Sequence, residues 1–384
     1  MKIGIYGGAF NPPHSGHVDC AVSAAQQLAL DLLLVIPSGT PPHKALPSDS
    51  PTAQDRFKMA QLAFRNVPSC EVTDIELRRQ GESYTIDTVR ELEQMYPGAQ
   101  FYLIVGTDMY LSLTTWCESD ALLRRITPAV ALRTPGMEPE TAAEAERLAG
   151  FGVSTEVVRN NTIEISSSQL REALSSRNWT YHLDYLVYSF IIERGLFGAK
   201  PDFDWLRLEA YKLLDEGRIR HVAGCEGEAV RLAIRWGADV DEAREGAILH
   251  DITKRLNHKE QLLLCKRYGI ELDDFMRAVP KLLHGYTAAE LSGERFNVSD
   301  TVKAAVKWHT TGHKDMTLLE KIIYLADYIE PNRRFDGVDE LRAIAYQDID
   351  KAMIRGLEMT CNDLLARDLK LDRHTLEALQ DLKK

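Results

Sequence analysis

A chain of 384 residues is longer than the ~150 of a usual domain and predicts two or three cores. Hydrophobic residues at 45%, charged residues at 27% and the lack of any long apolar run exclude disorder, collagen-like structure and a transmembrane helix. The formal charge of −11, from 46 basic and 57 acidic residues, opposes non-specific attraction to nucleic acid or an anionic membrane, so a phosphate partner must be held locally.

In chain order, apolar runs at 2–6, 32–37, 101–106 and 129–133 alternate with amphipathic segments at 16–30 and 52–66. That alternation predicts a parallel sheet flanked by helices, an α/β Rossmann-like layout. Residues 137–160 suggest no element. From about residue 203 the segments 227–237, 241–251, 301–309 and 317–330 carry apolar residues at spacings of three and four, which predicts an all-α second half. The glycines and Pro201 of 195–203 mark the boundary, giving expected domains 1–198 and 203–384. The first part carries 16 basic against 23 acidic residues and the rest 30 against 34, whereas four of the eleven histidines fall before the boundary and seven after it. The N-terminus lacks the pattern of a signal peptide, so a cytoplasmic protein is expected. Cys20, Cys70, Cys117, Cys225, Cys265 and Cys361 form no C-x-x-C pair and are expected to be plain buried thiols.

The densest local signal runs from Gly7-Gly8-Ala9-Phe10 through His14 to His17, after a strand and before a helix. Glycines admit a ligand close to the backbone, and a helix start favours anions. His14 and His17, three residues apart, would face one phosphate chain. The lysine of a Walker loop is missing. A second element, Ile165-Ser166-Ser167-Ser168-Gln169-Leu170-Arg171, reads as a helix cap with Arg171 one turn inside, suited to clamp phosphates.

These strings resemble the G-G-x-F-x-P-x-H-x-G-H and I-S-S-T-x-I-R signatures of the nucleotidyltransferase superfamily. Pro41-Pro42-His43-Lys44, Asp55-Arg56-Phe57-Lys58-Met59, Ser83 to Thr88, Gly106-Thr107-Asp108 with Trp116, and Ala131 to Gly136 resemble its nicotinate-nucleotide adenylyltransferase branch. The resemblance implies adenylyl transfer from ATP, with Mg2+, to nicotinate mononucleotide. It implies that Lys44 assists with phosphate, that Thr85 and Trp116 hold the nicotinate ring, and that Asp108 and Arg133 contact the nucleotide. Ala9 and Asn11 replace the hydroxyl and carboxylate common in relatives, leaving a backbone role.

In the second half, His221 is expected just before a helix, His250-Asp251 after another, His284 within a third, His309 at the end of a fourth, and Asp327 inside a strongly apolar one. Imidazole plus carboxylate suits zinc, manganese or iron(II). A carboxylate in an apolar helix costs dearly unless it meets a cation or donors. Lys254, three residues after Asp251, would face the same substrate if the helix continues that far.

The order H…HD…H…H…D, with the text from Leu318 to Pro331 and then Arg333 and Phe335, resembles the HD-domain phosphohydrolases. Within them it resembles the YqeK-type branch, symmetrical bis(5′-nucleosyl)-tetraphosphatases. The resemblance implies that His221, His250, Asp251 and Asp327 hold Fe2+, Mn2+ or another divalent ion, and that His284 and His309 contact phosphate or a second ion. It implies Asp251, Lys254 and Arg333 as helpers in splitting diadenosine tetraphosphate into two ADP. Two alternatives stay open: a nucleotide-binding regulatory module without turnover, and hydrolysis of another nucleotide. Neither nucleic acid nor membrane is an expected partner, and a homodimer is the candidate assembly.

Overall fold

The computed structural model describes residues 1–39, 47, 49–79, 81–132, 136–161, 165–179 and 181–384. Contacts divide the chain into two compact units, Met1–Ala199 and Lys200–Lys384. Among the described residues no helix is long and apolar enough to cross a membrane.

The first unit is built on six parallel strands: β1 (Lys2–Gly8), β2 (Leu32–Pro37), β3 (Cys70–Val72), β4 (Gln100–Gly106), β5 (Ile126–Ala131) and β6 (Glu156–Val158). Their spatial order is β3-β2-β1-β4-β5-β6. The strands bury both faces: Ile3, Ile5, Leu34, Ile36, Leu103 and Val105 form an apolar core on one, and Leu33, Val35 and Ile104 are buried on the other. The order reverses between β1 and β4, and in such sheets ligands bind beyond the strand ends at that switch. Gly7, Gly8 and Gly106 occupy those ends.

Helices α1 (Ser15–Gln27), α2 (Ala53–Phe64), α3 (Thr85–Met95), α4 (Thr107–Leu111), α5 (Ser119–Leu123), α6 (Glu138–Ala149), α7 (Ser167–Ser175) and α8 (Tyr185–Glu193) complete this unit. α1 turns Cys20, Ala21 and Ala24 inward, small residues that let it lie close on the sheet. The segment 137–160, uninformative as sequence, folds as α6 and the edge strand β6. β6 is only three residues long with two of them exposed, so it shows no apolar alternation, and a short edge limits unwanted pairing.

The second unit is helical: α9 (Phe203–Tyr211), α10 (Glu216–Trp236), α11 (Val240–Leu249), α12 (His258–Tyr268), α13 (Asp274–Ala278), α14 (Leu283–Phe296), α15 (Asp300–Trp308), α16 (Leu318–Ile329), α17 (Val338–Ala345), α18 (Ile349–Ala366) and α19 (Arg373–Leu382). α16 buries Leu319, Ile322, Ile323, Leu325, Ala326 and Ile329, which places it at the centre of the bundle.

Three expectations are corrected. His221 does not precede a helix: it lies inside α10, which begins earlier because Asp215 accepts a hydrogen bond from the Arg218 N–H at 2.9 Å and caps it. The helix carrying His250 does not run on to Lys254, for α11 stops at Leu249 and the chain continues through turns in which the Lys254 N–H donates to Asp251 O at 2.8 Å. Nor are all thiols buried: Cys117 is exposed and Cys70 half-buried.

Candidate functional sites

In the first unit a cavity of about 720 Å³ opens at the strand ends. It is lined by Gly7, Gly8, Ala9, Phe10, His14, His17, Thr85, Gly106, Asp108, Trp116, Ser166, Ser167 and Arg171, which the chain brings together from five separate segments. Lys44 and Arg133 lie outside the described residues.

Local chemistry explains the arrangement. Phe10 has φ 46° and is 2% exposed; its ring packs edge-on against Tyr6, Phe64 and His17. A side chain at Gly8 would start 3.1 Å from that ring, so the glycine makes room for the anchor under the loop. Phe10 is therefore an anchor of the loop as well as part of the cavity wall. His14 caps α1 and its N–H donates to Nδ1 of His17 at 3.2 Å, with the two rings 3.8 Å apart. Both imidazoles thereby stand at the positive end of the helix, where an anion is favoured.

α7 closes the other wall. Ser166 accepts from the Gln169 N–H at 3.2 Å in a capping box, and Ser167 Oγ donates to Pro12 O at 3.0 Å, docking the helix start on the loop. Arg171 donates to Asn11 O at 2.7 Å and to Ser168 Oγ at 2.9 Å, so its guanidinium is oriented along the cavity by the loop itself.

Sequence reasoning assigned no role to Arg56 or Glu76. Arg56 is 1% exposed and donates to the carbonyls of Ala9, Ser38 and Gly39 at 2.9, 2.7 and 3.2 Å, a buried cation tying the loop to the end of β2. Burial lowers its pKa. Glu76 lines the cavity, and Thr88 Oγ1 donates to it at 3.0 Å. Burial raises its carboxyl above the usual range, against the opposing pull of Thr88 and Arg79.

In the second unit the residues picked from the sequence converge. His221 Nε2 lies 3.3 Å from His250 Nε2, 3.0 Å from Asp327 Oδ1 and 3.8 Å from Asp251 Oδ2, and His250 Nε2 lies 3.4 Å from the same Oδ2. On the other side Asp251 Oδ1 is 3.1 Å from His284 Nε2 and 3.6 Å from His309 Nε2, which are 3.0 Å from each other. Asp251 stands between the two groups.

The other ring nitrogens say which way the imidazoles are set. Nδ1 of His250, His284 and His309 lie 2.7, 2.5 and 2.6 Å from the carbonyls of Ala247, Lys281 and Val306. A carbonyl only accepts, so each Nδ1 carries a proton, and each ring is set to offer the lone pair of Nε2 inward to a cation. His221 Nδ1 faces Glu330 Oε1 at 3.2 Å instead. Lone pairs that face each other at 3.0 and 3.3 Å repel unless a cation shares them.

Ligands held ~2.0–2.2 Å from one ion stand about 3–3.5 Å apart, close to the 3.0–3.8 Å between the donor atoms here. Asp251 Oδ1, buried and without a hydrogen-bond partner among the described residues, meets a cation only in the Lys254 ammonium at 3.6 Å. The donor set therefore fits divalent transition ions. Burial pushes the His284 ring down to about 4, which keeps it neutral and able to ligate. Burial would raise the carboxyls of Asp251 and Asp327; without an ion, imidazoles that carry a proton on the facing nitrogen, and Arg333 beside Asp327, outweigh it and hold both well below the usual range.

Three cations attend the cluster. Arg218 donates to Asp251 Oδ2 at 2.8 Å, Arg333 pairs with Asp327, and Lys254 Nζ lies 2.9 Å from His284 Nε2. Arg218, Glu330 and Cys225 escaped sequence reasoning; Arg218 and Cys225 flank His221 at helical spacings of three and four, a signal that was present. Cys225 Sγ lies near the ligand atoms, yet at 3.5 and 3.7 Å it is almost equidistant from the two nitrogens of the His221 ring. The thiol thus rests on the ring and does not lie along its lone pair.

Residues 5–173 match the cytidylyltransferase-like family and residues 218–332 the HD domain. A fold and site of this kind define a cytidylyltransferase-like α/β unit followed by an HD unit. A probable nicotinate-nucleotide adenylyltransferase of Oceanobacillus iheyensis is 39% identical over 199 residues, 51% of this chain and 97% of the relative. One from Geobacillus thermodenitrificans is 36% identical over 52% of this chain and 87% of its own. Over its first unit the chain belongs to the nicotinate-nucleotide adenylyltransferase family. Among solved structures, a "predicted HD superfamily hydrolase involved in NAD metabolism" from Clostridium acetobutylicum is 35% identical, with a TM-score of 0.47, covering 48% of this chain and 98% of that one.

Proposed function

We propose that the chain is a bifunctional cytoplasmic enzyme with domains at 1–198 and 203–384. The first domain transfers the adenylyl group of ATP to nicotinate mononucleotide, giving deamido-NAD and pyrophosphate. The observation that carries this is the pairing of His14 and His17 at a helix start on the wall of a nucleotide-sized cavity.

The phosphate oxygen of the mononucleotide attacks the α-phosphorus of ATP as the bond to pyrophosphate breaks, so no covalent enzyme residue is needed. His14, His17, Arg171 and the amides of the Gly7–Phe10 loop stabilise the charge that develops on the phosphates. Lys44 and Arg133 would add to that charge and to nucleotide contact. Thr85 and Trp116 orient the nicotinate ring, and Asp108 holds the nucleotide. Magnesium would enter with ATP, keeping much of its water and neutralising phosphate charge. Purified chain with ATP, magnesium and nicotinate mononucleotide is expected to release pyrophosphate and form deamido-NAD; reaction of the amidated mononucleotide alone would overturn the assignment.

The second domain is a phosphohydrolase that splits diadenosine tetraphosphate into two ADP. Its support is the inward convergence of four Nε2 atoms on Asp251. His221, His250, Asp327 and Asp251 Oδ2 would hold one ion, with Fe2+ or Mn2+ the expected metals. Asp251 Oδ1, His284 and His309 would hold a second ion or a phosphate. Such ions lower the pKa of water and absorb charge on phosphoryl oxygens. Arg218, Lys254 and Arg333 pair with the carboxylates and imidazoles of the site, and with these engaged elsewhere they would bind the polyphosphate chain.

A further inference from the structure

We infer that Glu330 is a positioning residue that acts through His221 and makes the His221–His250–Asp327 position the tighter of the two ion positions; this rests on the metal-centre reading above. Three of the four inward-facing histidines are backed by a backbone carbonyl, and His221 alone by a carboxylate, with its Nδ1 3.2 Å from Glu330 Oε1. A carboxylate behind an imidazole fixes its tautomer and strengthens its donor nitrogen, and removal of such a partner typically weakens metal binding 10–100-fold.

Glu330 is itself held for this task. It is 2% exposed, and its Oε2 accepts from the Asn332 N–H at 2.7 Å and from Asn332 Nδ2 at 2.9 Å. That leaves Oε1 for the imidazole. Gly224, one turn along α10 from His221, is what admits the carboxylate: a methyl group there would collide with Oε2. Glu330 ends α16 three residues after Asp327, so one helix end supplies both a ligand of the position and the support of its neighbour.

The test is titration of metal-stripped full chain with Co2+, following visible absorption and the hyperfine-shifted exchangeable imidazole proton signals. Glu330→Gln is expected to weaken the first bound ion by about 10–100-fold. It should also move one of the imidazole Nδ1–H signals while leaving the others in place. Gly224→Ala, which displaces the carboxylate without altering its charge, should weaken the same ion and disturb the same signal. Unchanged first-ion affinity in a folded Glu330→Gln protein, or loss of affinity with all the signals moved alike, would overturn the inference and leave the metal centre standing. A wild-type chain that takes up no Co2+ would overturn both.

Discussion

Asp251 places Oδ1 3.1 Å from Nε2 of His284 while its Oδ2 lies on the side of His221 and His250. One carboxylate therefore joins the two halves of the histidine set.

Replacing Asp251 by Ala should accordingly lower phosphohydrolysis by about 10⁴-fold or more, the scale seen when one member of a cooperating catalytic set is removed. Bound metal, measured by elemental analysis, should fall with it. Adenylyl transfer by the same protein should stay within twofold of wild type, since its groups lie in the other unit. Parallel assays of both reactions check this.

His17 bears on the first reaction through charge developing in the transition state. His17→Ala is expected to lower kcat for adenylyl transfer by about 10²–10³-fold, as the loss of a single stabilising donor does elsewhere. The variant also loses the acceptor for the His14 N–H, a cap worth about 1 kcal/mol. Steady-state kinetics and thermal unfolding separate the two effects: a large kcat loss with a small change in Tm is the expected pattern.

Arg56 gives a stability prediction. Arg56→Leu would strand the carbonyls of Ala9, Ser38 and Gly39 under the loop, a loss of about 3 kcal/mol or more. The first unit should melt at clearly lower temperature, while Co2+ uptake by the second unit is unchanged. Calorimetry with a metal titration on the same sample reads both.

Glu76 gives a pH dependence. Its folded-state pKa is raised above the ordinary 4.5, chiefly by burial, so the folded protein holds this proton more firmly than the unfolded chain. The stability tied to the group is fully present below pH 4.5 and lost as pH rises through the raised value. Glu76→Gln keeps an acceptor for Thr88 without the charge. It should raise the Tm of the first unit at pH 7–8, with the gain vanishing below pH 4.5.

Much of this was legible in the residues. The parallel sheet followed from apolar runs alternating with amphipathic ones, and the loop that lines the cavity from glycines and histidines at a strand-to-helix turn. The six H and D positions that converge in the second unit stand out by type and order, since few other residues suit a buried divalent ion. What escaped were groups acting through another residue. Glu330 reads as the polar end of an apolar helix, Arg56 as part of a resembling string with no role of its own, and β6 as three unpatterned residues. Each gains its role only when distant segments meet: Glu330 from 109 residues along the chain to His221, and Arg56 from 47 to Ala9.

The most direct test of the central claim is product identification when metal-replete full chain, with Fe2+ or Mn2+ present, meets diadenosine tetraphosphate. Chromatography should show two ADP per substrate consumed, with nothing formed by Asp251→Ala. AMP together with ATP, or no turnover by a protein that binds the ion and the nucleotide, would contradict the account.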